Sequence, residues 1–385
     1  MTRQVAEAAH YCEGLARVQL GGGFFRPDSR PARDLGVLLA ADLAGFGELK
    51  VLDGMAGCGI RSLRYGLESG AASLWVNDAD PDRLPWLQAN LAALPKGIAR
   101  HCSSSTAQHL LADCLVRRQR FELVDLDAFG CPSALVPLAL EAVTCGGVLY
   151  LTSSDGRSPT GHDRAAAIRR LGAAARAHPA SWEVALRLQL GVLARSAWAL
   201  GRGLTPLLAF SDGRTFRTAV RLERRPEARE ESRLGLLAHC HRCGEQHVQS
   251  LQKLGRWPAC GCPESSPLAV SGPLWIGPLQ HAPTLVRLQQ LAAGTHRGSM
   301  TPASERLLGR LAADPGLPVR CWAMADLARH LGQGPPNRQA LLERLRQEGF
   351  QAVASGVMPG QLRSDAPWRR LLELAAERLA AKAAK

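Results

Sequence analysis

Residues 51–62, VLDGMAGCGIRS, constrain this chain more than any other stretch. A short apolar run ends on Asp53, a turn containing Gly57 and Gly59 follows, and Ile60-Arg61-Ser62-Leu63 opens a helix. Glycines at those positions permit a tight turn and close backbone approach to a ligand. A second apolar run, 73–77, ends at Asp78, 19 residues past Gly59. In a doubly wound α/β sheet, a carboxylate there lies over the ribose of an adenosine-bearing cofactor. The G-x-G-x-x-G frame of dinucleotide sites is broken, because Ser62 stands at its third glycine. An acidic residue four positions before Gly57 suits a cofactor with a cationic amino-acid head better than one with a pyrophosphate. An ordinary βα turn would carry the same glycines, so the rest of the chain must decide.

Strand and helix patterns alternate from residue 50 to about 151, which argues a parallel sheet. The strands expected are 51–53, 74–78, a polar one near 99–102, 121–125 and 147–152. A long helix is expected over 182–200. Two further strands, 204–211 and 215–223, are joined by Asp212-Gly213-Arg214, a hairpin turn. An antiparallel hairpin closing an otherwise parallel sheet is typical of class I methyltransferases. It separates them from NAD-binding folds better than the glycine turn does. A charged stretch around Pro226 marks a domain boundary at 228/229. The fold expected is therefore α/β: a Rossmann-like S-adenosylmethionine-dependent methyltransferase domain over 1–228, and a smaller α+β domain over 229–385. The second contains helix–break–helix–strand signals at 324–331, 332–336, 337–348 and 350–354, and a terminal amphipathic helix over 371–384.

With 385 residues each domain can bury its own core, and no run reaches the length needed to cross a bilayer. The first residues lack an apolar signal core, so a cytoplasmic protein without membrane contact is expected, and a monomer. The net charge of +13 favours a polyanionic partner, nucleic acid before acidic membrane, although arginine-rich composition alone raises the same number. Residues 214–233 hold seven arginines against four carboxylates, either a nucleic-acid contact or a solvated hairpin edge.

The stretch 121–132, FELVDLDAFGCP, holds the chemistry. It puts Asp127 and Phe129 at the sheet edge that carries Asp53 and Asp78, where α/β folds bind ligands. An exocyclic base amine is a poor nucleophile because its lone pair is delocalised into the ring. A carboxylate accepting its N–H bonds raises electron density on nitrogen and can take the proton as the C–N bond forms. Phe129 would stack on the base and hold it in line with the methyl donor. The segment departs from the acidic-Pro-Pro-aromatic pattern of amino-methyltransferases, since Ala128 replaces the first proline. A strand cap with two solvated carboxylates is the plainer alternative. Phe24 and Phe25, beside Gly21-Gly22-Gly23, read by themselves as core residues.

Taken together, the chain resembles the tRNA (guanine-26, N2)-dimethyltransferase family. The likeness rests on Phe24-Phe25-Arg26-Pro27, Arg33-Asp34-Leu35, residues 53–61, Asn77-Asp78, residues 125–130, Cys240-x-x-Cys243-Gly244, Gly272-Pro273-Leu274-Trp275-x-Gly277 and Ser364-Asp365-Ala366-Pro367. The resemblance implies S-adenosylmethionine contacts from Arg33, Arg61 and Asp78, and Asp127 as the catalytic carboxylate. It also implies that Phe24 and Phe129 touch the target guanine. With Asp53, Gly57 and Gly59, these make the expected cofactor site. Where the family usually holds the adenine with an acidic residue, Ser105-Thr106-Ala107 stands here, so Thr106 or a backbone group at Ala107 takes that place.

Cys240, Cys243, Cys260 and Cys262 form C-x-x-C and C-x-C pairs 16 residues apart, in a segment poor in large hydrophobes. Four converging thiolates bind zinc. The family's second knuckle begins with a cysteine where Trp257 stands here, so either Cys262 or one of His239, His241 and His247 supplies the fourth ligand. A metal-free relic is the alternative. The other seven cysteines read as reduced core thiols. The function expected is transfer of one or two methyl groups from S-adenosylmethionine to the N2 of guanine 26 in tRNA. Methylation of a base amine in another RNA or in DNA is the alternative enzyme. A tRNA-binding protein with a decayed methyltransferase domain is the alternative outside enzymes.

Overall fold

The computed structural model describes residues 10–262 and 267–383, with side chains to residue 377. A two-stranded ribbon, β1 (His10–Glu13) and β2 (Ala16–Gln19), precedes helix α1 (Arg30–Ala44). The central sheet then builds from β3 (Lys50–Asp53), β4 (Ser73–Asp78), β5 (Ala99–Ser104), β6 (Phe121–Asp127), β7 (Val143–Ser153), β8 (Gly203–Ser211) and β9 (Phe216–Glu223). Their order is β5-β4-β3-β6-β7-β9-β8, parallel except for β9, which runs antiparallel to both neighbours. The expected closing hairpin is present, and β6 runs two residues further than the sequence suggests, ending on Asp127 itself.

Strand residues alternate between two cores, as a pleated sheet buried on both faces requires. Val51, Leu74, Val76, Leu123 and Val148 face one side, where α1, α2 (Ile60–Glu68) and α3 (Leu84–Leu91) pack. Leu52, Trp75, Val124, Leu126, Leu149 and Leu151 face the other. There they meet α4 (Ala107–Val116), α5 (Val136–Ala142) and, after the short α6 (Arg164–Leu171), the long α7 (Ser181–Ala199). At the first βα turn, Gly57 and Gly59 have φ of +57° and +78°, a region costly for side-chain-bearing residues.

Beyond residue 229 a second sheet, order β11-β10-β12, forms from β10 (Leu234–His239), β11 (Gln246–Ser250) and β12 (Ala269–Trp275). Helices α8 (Ala282–Ala293) and α9 (Pro302–Ala312) then return to the first core. Their Leu285, Leu288, Leu307, Leu308 and Leu311 join the cluster around α1. This explains why α1 is apolar nearly all round: α2 covers one side, and α8 and α9 another. Polar contacts seal the joint, with Ser304 donating to Asp34 at 2.5 Å and Arg287 clamping Asp42 at 2.6 and 2.8 Å.

The chain ends in a third sheet of β13 (Cys321–Ala323), β14 (Ala352–Ala354) and β15 (Gln361–Ser364). With it go α10 (Met324–Leu331), α11 (Arg338–Gln347) and α12 (Trp368–Ala383). The expected helix–break–helix is thus backed by three short strands, and its core is Leu327, Leu341, Leu345, Leu362 and Leu371 around the stacked Trp322 and Trp368. Two of the seven cysteines read as core thiols, Cys12 and Cys145, are exposed: one lies on the thin β1–β2 ribbon, the other near the start of β7 before its buried run. Among the described residues no helix is long and apolar enough to cross a membrane.

Candidate active site

The carboxyl ends of β3, β4 and β6 open into a cleft of about 830 Å³, within the size range of small-molecule sites. Phe24, Arg33, Gly57, Arg61, Asp78, Thr106, Ala107, Asp127 and Phe129 all line it. Nine residues spread over about a hundred positions thus meet at one sheet edge. Asp53 and Gly59 are not on the wall. Gly59 shapes the turn, and Asp53 lies 1% exposed beneath the cleft, accepting from Ser62 Oγ at 2.6 Å. Burial, then the charge of neighbouring Asp125, pushes the Asp53 carboxyl up to about 7.

Asp78 organises the glycine turn. One of its carboxylate oxygens accepts from the Gly57 N–H at 2.8 Å and the other from the Asp80 N–H at 3.0 Å. Each oxygen keeps a further lone pair that can accept from a ligand. Its neighbour Asn77 is fully buried and ties the loops after β3 and β5 to the end of β4, donating to the carbonyls of Gly54 and Ser105 and accepting from the Ser105 N–H. Arg33 donates to both oxygens of Glu13 at 2.6–3.0 Å and to the carbonyls of Arg26 and Pro27. Thr106 caps α4, accepting from the His109 N–H. Its hydroxyl is therefore engaged locally, and Gln108 lines the same wall.

Asp127 is held by guanidinium groups from two different elements. Arg61, from α2, donates to its Oδ2 at 2.6 Å and to buried Asp125 at 3.0 Å. Arg217, from β9, donates to Oδ1 at 3.1 Å and to Oδ2 at 3.4 Å. Burial pushes the Asp127 carboxyl up, but the two guanidinium groups outweigh it and hold it well below the usual carboxylate range. Its side chain remains 34% exposed, toward the cleft. Asp125 is entirely buried and also accepts from the Tyr65 hydroxyl at 2.6 Å. The loop after Asp127 is fixed to the end of β7: Gly130 donates to Ser154 Oγ at 2.7 Å and accepts from Ser153 Oγ and the Ser154 N–H.

Phe24 and Phe129 stand at the mouth, 66% and 76% exposed, with ring centroids 5.4 Å apart at 74°. Two exposed phenylalanines meeting beside a carboxylate do not serve the core, so the reading of Phe24 as core is corrected. Phe25 does pack inward, edge-on to Tyr11 and beneath the Arg33 guanidinium. Arg217 was hidden among the seven arginines of 214–233. Strand alternation could not single it out, because Arg221 and Glu223 share its face of β9; its pairing with Thr152 of β7 and its 1% exposure are what mark it.

The profile of the N2,N2-dimethylguanosine tRNA methyltransferase family matches residues 17–376. The chain belongs to this family. Similar dimethyltransferases, named for guanine 26 N2 of tRNA, occur in Aeropyrum pernix and Methanosphaerula palustris. The first is 30% identical, covering 91% of this chain and 88% of the relative; the second is 30% identical, covering 89% of each. The solved structure of Trm1 from Pyrococcus horikoshii with S-adenosyl-L-methionine superposes with a TM-score of 0.81 at 23% identity, covering 95% of this chain and 99% of that one. That likeness bears on the fold, a class I sheet, at whose edge this chain carries the glycine turn, Asp78 and Asp127.

A second cluster lies apart from the cleft in sequence and sheet. The ligand atoms of Cys240, Cys243, Cys260 and Cys262 all lie within 4.8 Å of one another, and the Cys240 and Cys262 sulfurs are 3.7 Å apart. Tetrahedral zinc with Zn–S bonds of about 2.3 Å sets sulfurs about 3.8 Å apart, so the four thiols fit the ion. Burial pushes the Cys240 thiol up, yet the backbone N–H groups of Cys243 and Arg242 bring it down to about 7. Cys262, not a histidine, completes the set. His239 and His241 instead meet edge to face, with His178 likewise edge-on to His239. When bound, zinc would staple the β10–β11 hairpin to residues 260–262. Protein purified without chelator should carry close to one equivalent of zinc by elemental analysis. Under about a tenth of an equivalent with normal folding would show that packing alone holds the segment.

Proposed function

We propose that this chain transfers one or two methyl groups from S-adenosylmethionine to the exocyclic N2 of guanine 26 in tRNA. The observation that carries the reading is the ionised, doubly clamped Asp127 standing beside an exposed aromatic pair, in the cleft that holds the glycine turn and Asp78. When bound, S-adenosylmethionine supplies an electrophilic sulfonium methyl. Asp78 would accept from its ribose hydroxyls, and Arg33 and Arg61 would face its amino-acid end. The adenine would lie along the α4 N-terminus, by Thr106, Ala107 and Gln108. Asp53 would act from beneath, through Ser62 and the turn.

Asp127 would accept hydrogen bonds from the base. Guanine presents adjacent N1–H and N2–H donors, which two carboxylate oxygens can accept together. Adenine presents a donor beside an acceptor, and the acceptor's lone pair would face a charged oxygen. The same hydrogen bond raises electron density on the attacking amine. Phe24 and Phe129 would stack on the base, offsetting the few kcal/mol lost when it leaves its helix stack. The acceptor test is transfer of labelled methyl to a tRNA transcript with guanine or adenine at position 26. Labelling of the guanine transcript alone is expected, and equal labelling of both would overturn the reading.

We assign the division of labour as 1–228 for catalysis and 229–385 for holding tRNA, with α10 and α11 as the helical part of that surface. A cytosolic location fits eleven cysteines without a disulfide among them. The +13 charge supports binding through phosphates. The affinity for tRNA should accordingly fall steeply with salt, and a flat plot of log affinity against log salt would contradict that. Phe24→Ala should raise the tRNA KM roughly fivefold to a hundredfold, since a base-stacking contact contributes about 1–3 kcal/mol. Cofactor affinity should stay unchanged by calorimetry. An unaltered tRNA KM would remove Phe24 from the base site.

A further inference from the structure

We propose that Arg217 is a positioning residue for methyl transfer: from β9 it fixes the Asp127 carboxylate so that both oxygens stay charged and present a lone pair each to the incoming amine. The inference rests on the reading of Asp127 given above. Arg61 alone does not hold the group. Its Nη1 is taken by Asp125 and its Nη2 reaches only Oδ2. The Thr152 hydroxyl also hydrogen-bonds the carboxylate, but Arg217 Nη1 itself holds that hydroxyl at 2.7 Å, and Arg217 Nη2 lies 3.1 Å from Oδ1. Without Arg217 the carboxylate could swing about its terminal torsion, which is broad for aspartate.

Arg217 is itself aimed. Its Nη1 donates to Thr152 Oγ1 at 2.7 Å, and its guanidinium carbon lies 5.9 Å from the Tyr150 ring centroid. It is 1% exposed, and its Nε–H makes no hydrogen bond among the described residues. A buried guanidinium with an unpaired N–H is a poor solution for packing, where an apolar side chain of like volume would serve the fold as well. The placement makes sense if the position is kept for Asp127.

The groups facing Asp127 are Arg61 from α2, Arg217 from β9, Thr152 and Tyr150 from β7, Asp125 on its own strand and Asp53 on β3. Three carboxylates thus share two guanidiniums. Removing Arg217 leaves three against one, which drives protonation of the cluster as pH falls. A protonated Asp127 has lost a lone pair and its charge, so turnover should acquire an acid limb. Burial also raises the Asp53 carboxyl in the wild type, so the readout is the difference between the wild-type and variant profiles.

The test is kcat and KM for tRNA and for S-adenosylmethionine across about pH 5.5–8 for wild type, Arg217→Gln and Arg217→Lys. Arg217→Gln should lower kcat roughly 10- to 100-fold near pH 7.5 and lose roughly a further tenfold near pH 5.5 relative to wild type, with cofactor KM within about twofold. Arg217→Lys should recover the pH profile, because it restores charge. It should recover only part of kcat, because a point charge lacks the planar fork. The inference is overturned if kcat of Arg217→Gln stays within about threefold of wild type. It is also overturned if kcat falls equally at every pH with Gln and Lys alike, as looser packing would give. Should the Gln variant fail to fold, the Lys variant decides, and wild-type kcat in it counts against the proposal. Asp127→Asn run in parallel separates the two claims. An active Asp127→Asn enzyme sinks the reading of the site. An inactive one beside an unaltered Arg217→Gln profile sinks only the role of Arg217.

Discussion

Asp127→Asn should lower methyl transfer roughly 10³-fold, about 4 kcal/mol in the transition state, while S-adenosylmethionine binds within about twofold of wild type. The substitution preserves shape and removes charge. An asparagine amide has one acceptor oxygen and one NH2 donor. If the oxygen stays on Arg61, the NH2 faces the guanidinium of Arg217 or the amine of the base, and either is donor against donor. The amine then loses the charged acceptor that raises its nucleophilicity. Cofactor binding is spared because Asp78 and the glycine turn keep their own hydrogen bonds. Turnover within tenfold of wild type would show that Asp127 only caps its strand.

Arg363→Met should destabilise the whole chain by about 3–5 kcal/mol, the cost of stripping one partner from a buried ion pair. Arg363 lies on β15, fully buried. It donates to both oxygens of Asp314 at 2.8–3.0 Å and to Glu183 on α7. Arg187, one turn along α7, donates to Glu183 at 2.8 Å and to the carbonyls of Trp275, Gly277 and Gly316. Four buried charged residues thus join the long helix behind the catalytic sheet to β12 and to the last sheet. Methionine would leave Asp314 and Glu183 facing each other without their shared cation. Chemical denaturation measures the loss, and a change below about 1 kcal/mol would mean that the two regions are held by apolar contact alone. Asp314→Leu added to Arg363→Met should restore part of it, since removing both members of a buried pair is milder than removing one.

Much of the site was legible because its residues sit where a period-two strand ends. Asp53, Asp78 and Asp127 each follow an apolar run, and a parallel sheet brings such ends to one edge. What lay further from strand ends was harder to read. The strand β5, ARHCSS, is an edge strand with mostly exposed or half-exposed side chains, so it lacks the continuous apolar run of its neighbour β4. The strands β13 and β15 are three and four residues long, too short for a period to show. The return of α8 and α9 onto α1 left only an indirect trace, the excess of apolar residues on α1. Arg217 escaped because an arginine in a basic stretch reads as surface, and only the partner across the sheet reveals it as buried. The thiol cluster was visible as spacing, but its fourth ligand was not. The choice of Cys262 over three nearby histidines depends on where the hairpin folds.

Mass spectrometry of nucleosides from tRNA incubated with this protein and S-adenosylmethionine tests the central claim most directly. The account predicts N2-methylguanosine, N2,N2-dimethylguanosine or both, formed from the guanine at position 26 and absent when Asp127→Asn replaces the wild-type protein. Unmodified guanosine at that position after wild-type incubation, or a methyl group carried on a ring nitrogen or on another base, would contradict it.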